Sequence, residues 1–197
     1  MNTLLKSINE SIKLKKKLSK EEKKIKYIKN ELFKCLTKGN KILICGNGGS
    51  AADADHLATE FIVRLRPKVN RKAIKIFSLT FNTSVITATG NDFGFNKIFS
   101  RNLEAIGSKE DILIVLTTSG NSKNILEALK LAKKNKIKSI GFLGNKGGIA
   151  KNLCDTSIII PSNNTARIQE EHKFIGHLIL EQLEDMLLKN KVIRLYK

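Results

Sequence analysis

Five short apolar runs, at 41–46, 73–79, 112–117, 139–143 and 157–161, alternate with stretches whose apolar residues recur every three or four positions. Runs this short, without polar alternation, suit strands buried on both faces, and the helical stretches between them supply the crossovers that parallel neighbours require. The pattern predicts an α/β fold built on a parallel sheet. Helices are expected over 50–66, 84–89, 97–106, 122–134, 149–153 and 166–188. Residues 3–37 read as a helical arm or hairpin. In it Leu4, Leu5, Ile8, Ile12 and Leu18 give way at Ser19, a candidate cap, to Ile25, Ile28, Leu32, Phe33 and Leu36. No linker rich in Gly, Pro or Ser interrupts the chain and only two prolines occur, so 1–197 is expected to be one domain with a helical N-terminal extension over 1–40.

Charge and cysteine content narrow the function classes. Lysine and arginine number 36 against 18 acids, a net charge of +18. That excess is spread out: residues 1–40 hold twelve lysines and four glutamates, and the rest of the chain carries a further +10. With no tryptophan and 6% aromatics there is little to stack on single strands, so specific nucleic-acid reading is not expected, whereas an anionic small substrate gains from the same field. No apolar run approaches the roughly 18 residues of a membrane span, and the N-terminus lacks the apolar core of a secretory signal. A cytoplasmic protein without a membrane partner is expected. Cys35, Cys45 and Cys154, odd in number and without a CxxC, read as reduced, inert thiols.

Two turns carry the first chemical signal. The run at 41–46 leads into Gly46-Asn47-Gly48-Gly49-Ser50-Ala51, where glycines ahead of a helix let backbone amides face an anion. Formally this is G-x-G-x-x-A, but the acid a dinucleotide fold needs at the tip of the second strand is absent from 76–80, and no Gly-Lys-Ser/Thr closes a Walker loop. An ordinary tight βα turn is the plainer alternative. The run at 112–117 ends in Thr117-Thr118-Ser119-Gly120-Asn121-Ser122, hydroxyl-rich and again just before a helix. If their strands are neighbours, both turns can grip one phosphorylated, hydroxylated ligand.

His56 and Glu60 share one helix face at i,i+4, with Arg64 continuing it; the pair can ligate a divalent metal or set a general base beside its orienting partner. The last helix adds Gln169, His172 and His177. Gln169 and His177 are eight residues apart, about 12 Å of helical rise, which favours one large site or a site shared between subunits. The leucines of that helix, with Ile175 and Ile179, offer more apolar surface than one sheet face covers, so part is expected to pack against another subunit.

Taken together, Gly46–Asp53 with His56 and Glu60, then Asn91-Asp92, then 117–122, then Arg167-Ile168-Gln169-Glu170 with His177, resemble the sedoheptulose 7-phosphate isomerases (phosphoheptose isomerases) of the SIS, or sugar isomerase, fold. The two turns are shared across SIS proteins, and His56/Glu60 with Gln169/His177 is the more specific signal. The resemblance implies a three-layer sandwich around a five-stranded, flavodoxin-like parallel sheet, and a homotetramer. It implies zinc at His56, Glu60, Gln169 and His177, and enediol proton transfer by Glu60 and His177. Substrate contacts would come from Asn47, Gly48, Gly49, Ser50, Glu60, Asn91, Asp92, Thr117, Thr118, Ser119, Ser122 and Gln169. The heptose phosphate formed would feed lipopolysaccharide or capsule synthesis. Ala166 departs from the family, which carries an acid there. Two other SIS functions stand as alternatives: a non-catalytic binder of a replication initiator, which would lack Glu60 or His177, and a sugar-phosphate-sensing regulator.

Overall fold

The computed structural model describes residues 3–196. Helix α1 (Thr3–Leu18) meets α2 (Glu22–Thr37) through a 3-10 turn at Ser19–Glu21. The βα units follow as β1 (Ile42–Gly46), α3 (Gly49–Ile62), β2 (Ile76–Ser78), α4 (Thr83–Phe93), α5 (Ile98–Ile106), β3 (Ile112–Thr117), α6 (Lys123–Lys134), β4 (Lys138–Gly144), α7 (Ala150–Leu153), β5 (Thr156–Ile160) and α8 (Thr165–Lys189). All strands are parallel, in the order β2-β1-β3-β4-β5, with Ile42 in register with both Ile76 and Ile112. This is the flavodoxin-like winding, whose topological switch lies between β1 and β3, so the turns after these two strands open side by side on the carboxyl edge.

Alternation along the strands builds two apolar layers. Ile42, Ile44, Ile112, Ile114 and Leu116 face one cluster with α2, α3 and α8, while Leu43, Cys45, Leu113 and Val115 face the other with α5 and α6. Covering both faces explains why these strands read as unbroken apolar runs. Burial pushes the thiols of Cys35 and Cys154 up to about 12 and raises that of Cys45, so all three free cysteines stay protonated near neutral pH.

Three expectations are corrected. Strand β2 is confined to Ile76–Ser78, because the Ile74 amide donates to the Phe61 carbonyl at 3.2 Å and the Ile76 amide turns back to the Ile74 carbonyl at 2.8 Å. Helix α3 stops at Ile62, leaving Arg64 outside it, because the Arg71 guanidinium takes the carbonyls of Glu60 and Phe61. Ser19 caps nothing; its hydroxyl donates to the Lys16 carbonyl at 2.8 Å. On α8, Ile175, Ile179, Leu180, Leu183 and Leu187 are buried within the chain by α2, α3 and the sheet and Leu178 and Leu188 are half-buried, while Leu4, Leu5, Ile8 and Ile12 on α1 are exposed.

Candidate active site

The glycine turn after β1 directs α3 outward from the carboxyl edge of the sheet. Asn47 and Gly48 accept from the amides of Ser50 and Ala51, both at 3.0 Å, opening the helix at Gly49. Two turns later His56 and, one turn beyond it, Glu60 stand on the same face, with His56 Nε2 3.5 Å from Glu60 Oε1.

Helix α8 crosses α3 here, and a glycine permits it. A Cβ on Gly176 would lie 2.8 Å from Leu57 Cδ1, so the residues before His177 and after His56 meet at a contact only glycine allows. The result is a His56 Nε2 to His177 Nε2 distance of 3.0 Å, with the rings edge to face at 73°. Donor atoms of His56, Glu60 and His177 all lie within 4.8 Å of one another. All three belong to one chain, the first of the two arrangements that the spacing on α8 allows. Burial lowers the His177 pKa, as do His56 and Lys173, against the opposing pull of Glu60 and Glu181; the ring is therefore neutral near pH 7.

Gln169 sits two turns earlier on α8, with its amide over the start of α3. A Cβ on Gly49 would fall 2.5 Å from Gln169 Nε2, so the amide lies directly against the glycine turn and would have to shift for any larger residue there. A nitrogen–nitrogen–carboxylate set with an adjacent amide oxygen suits a borderline divalent cation. Three of the four expected ligands thus converge, and the fourth borders the same turn.

The second turn joins the first through an amide pair. Asn47 Nδ2 donates to Asn124 Oδ1 at 2.9 Å and Asn124 Nδ2 donates back to Asn47 Oδ1 at 2.8 Å. Asn47 therefore spends its side chain on holding the two turns together, and a role toward a ligand falls to its backbone. Thr117 is buried, its hydroxyl accepting from the Gly120 amide at 3.1 Å, and Ser50 is buried at the helix start. Ser119 is exposed and accepts from the Asn121 amide at 3.1 Å, while Ser122, at the N-cap of α6, makes no capping bond with its hydroxyl. Thr118 is half-buried between them. Asn91 and Asp92 lie exposed at the end of α4 and bond each other at 2.8 Å; among the described residues no hydrogen bond links them to either turn.

His172 is not at the cluster. It is buried against Phe142, and neither ring nitrogen has a hydrogen-bond partner of ordinary geometry; burial pushes its pKa down to about 4, opposed weakly by the Leu143 backbone and Asp53. Sequence reasoning missed Asn124, although an amide on the buried face of α6 beside Ile125 and Ala128 was a signal. No helix among the described residues is long and apolar enough to cross a membrane.

Comparison with known proteins adds a family. The SIS domain pattern matches residues 7–144, beginning inside α1. Over 188 residues the chain is 45% identical to the phosphoheptose isomerase of Clostridium acetobutylicum, covering 94% of this chain and 95% of that protein. The solved phosphoheptose isomerase GmhA from Neisseria gonorrhoeae superposes with a TM-score of 0.86 at 34% identity, over 92% of this chain and 97% of the other. A phosphoheptose isomerase from Francisella tularensis superposes with a TM-score of 0.88 at 33% identity, over 94% and 100% respectively.

Proposed function

This chain belongs to the SIS domain family and within it to the phosphoheptose isomerases, and on that premise we propose that it converts sedoheptulose 7-phosphate to D-glycero-D-manno-heptose 7-phosphate by proton transfer through an enediol. The observation that carries this reading is the meeting of His56, Glu60 and His177 behind the glycine turn. Moving a proton between adjacent carbons needs a base at carbon and a group that trades protons with the two oxygens. Glu60 takes the proton from C1 of the ketose and returns it at C2. His177, neutral because it is partly buried, gives a proton to the C2 oxygen and receives one from the C1 hydroxyl. Neither residue is changed at the end of the cycle.

His56, Glu60, Gln169 and His177 would hold a zinc ion, whose chemistry when bound is Lewis-acid polarisation of the carbonyl. The donor set and its 4.8 Å span support this choice. The free hydroxyl of Ser122 and the exposed Ser119, at the start of α6, suit the phosphate, with the helix dipole adding to the attraction. Ser50, Gly48 and Gly49, the half-buried Thr118 and the buried Thr117 shape the cradle, and Asn91 and Asp92 complete the lining on substrate entry.

The exposed apolar residues Leu5, Ile8 and Ile12 of α1 support association into a homotetramer, and the packing of α1 and α2 on α8 supports treating 1–197 as one SIS domain. A sugar-phosphate substrate fits the cytoplasm, where the product would enter ADP- or GDP-heptose synthesis for lipopolysaccharide or capsule. The positive charge serves to attract the anionic substrate, without a specific nucleic-acid or membrane partner. Retention of both Glu60 and His177 favours catalysis over a purely binding SIS protein.

The test is incubation of purified protein with sedoheptulose 7-phosphate in D2O. An aldose phosphate is expected, carrying deuterium at C2 in the fraction of turnovers where the proton held by Glu60 exchanges with solvent before its return; absence of product excludes the activity.

A further inference from the structure

A second group of charges lies behind the cluster, and proton transfer makes no use of it. Arg71 has a side chain only 1% exposed, yet it carries a full positive charge. Its guanidinium donates from Nε to Glu184 Oε1 at 2.6 Å, from one terminal nitrogen to the Phe61 carbonyl at 2.7 Å, and from the other to the Glu60 carbonyl at 2.9 Å. Glu184, itself 1% exposed, accepts from Arg66 Nε on its second oxygen at 2.6 Å.

The partners are what matter. Glu60 and Phe61 are in the last turn of α3, whose carbonyls have no partner within the helix, and Glu60 is itself a member of the cluster. Glu184 is on α8, seven residues and two turns beyond His177. One planar fork therefore spans from the backbone of Glu60 to the helix that carries Gln169 and His177. The arginine's own backbone is fixed too: it bridges Leu195, the Lys72 amide donates to the Arg194 carbonyl at 3.0 Å, and the Tyr196 amide to the Asn70 carbonyl at 2.9 Å.

We propose that Arg71, held by Glu184, is a positioning residue of the site, fixing the last turn of α3 on α8 so that His56 and Glu60 face His177 at ligand distance. Stability alone does not account for the arrangement, because a buried ion pair is often matched or bettered by apolar residues of the same volume. An apolar pair cannot cap two carbonyls, and a lysine ammonium cannot reproduce the planar fork. Small displacements behind a reacting centre are amplified there, a shift of about 1 Å costing on the order of 10²-fold in rate.

The activity arm of the test rests on the isomerase reading; the others do not. Arg71→Lys and the apolar pair Arg71→Met/Glu184→Leu are compared with the parent for thermal midpoint, kcat, KM and zinc affinity, the last by competition between metal-stripped protein and a chromophoric chelator. Arg71→Lys should bind zinc roughly 10–100-fold more weakly, as loss of a supporting contact does, and lose kcat with KM near the parent's. The apolar pair should regain the thermal midpoint without regaining zinc affinity or kcat. Recovery of all three together, or a lowered midpoint in Arg71→Lys with parental zinc affinity, overturns the proposal. If Arg71→Lys does not fold, the apolar pair decides alone. If the parent neither binds zinc nor isomerises the sugar, the functional reading fails, and the ring resonances of His56 and His177, two of only three histidines, still decide the matter. Loss of the cross-peak between the two rings in either variant supports a positioning role, and its retention refutes one.

Discussion

The Nε2 atoms of His56 and His177 stand 3.0 Å apart on two helices of the same chain. At that distance one nitrogen carries the proton and the other accepts it, so a cation that takes both lone pairs moves that proton to the Nδ1 of its ring. Zinc added to metal-stripped protein should shift the ring signals of His56 and His177 and leave those of buried His172 in place. Chelation should abolish turnover and zinc restore it. Full activity in protein shown by elemental analysis to hold no metal would remove the ion from this site.

Because the cluster is assembled within one chain, two defective chains cannot repair each other. Glu60→Gln keeps the shape of the side chain but loses the basic oxygen, and turnover should fall roughly 10²–10⁴-fold, the usual contribution of a general base. His177→Ala should also be inactive. Mixing the two variants under conditions of subunit exchange, verified by native mass spectrometry, should give no more activity than either alone. A return of activity in the mixed assemblies would mean that the two residues meet across an interface.

The hydroxyls of the second turn separate into structural and free. Ser119 braces the Asn121 amide, so Ser119→Ala should disturb both loop order and binding. Ser122→Ala should raise KM by the equivalent of about 1.5–3 kcal/mol, the worth of a hydrogen bond to a charged group, with little change in thermal midpoint. The comparison is with unphosphorylated sedoheptulose, for which the variant and the parent should behave alike. An equal loss for both sugars would move the phosphate elsewhere.

His172 gives the fold a sensitivity to acid. Its pKa is pushed from 6.5 in the open chain down to about 4 by burial, so the unfolded state binds the proton more readily than the folded one. Stability is complete above pH 6.5 and is lost as pH falls from there to about 4, by roughly 3 kcal/mol for this residue. Denaturant unfolding of His172→Gln should show a correspondingly flatter dependence over that window. If the parent and the variant lose stability in parallel, His172 is not the group responsible.

The sheet was legible because β1 and β3 are covered on both sides and so read as unbroken apolar runs, and His56 with Glu60 because both lie on one short helix. Their meeting with His177 was not, since periodicity along α8 says which face is buried and nothing about where another helix crosses it. That crossing is set at Gly176 against Leu57, a long-range contact that spacing along a single helix does not encode. Glu184 was visible only as an acid inside an apolar stripe with Leu180, Leu183 and Leu187; its partner Arg71 lies in an irregular segment where no period marks a buried charge.

Asn47 is followed by Gly48, the sequence in which a backbone nitrogen most readily attacks the preceding side-chain amide, expelling ammonia and leaving aspartate or isoaspartate. An amide clasped on both atoms by Asn124 is not free to swing onto that nitrogen. Folding thus shelters the most hydrolysis-prone bond of the glycine turn. Were it to open long enough for the amide to be lost, the new carboxylate would face the Asn124 oxygen and push the two turns apart. The lifetime of the cradle in solution is set by chemical ageing at one side chain as much as by unfolding.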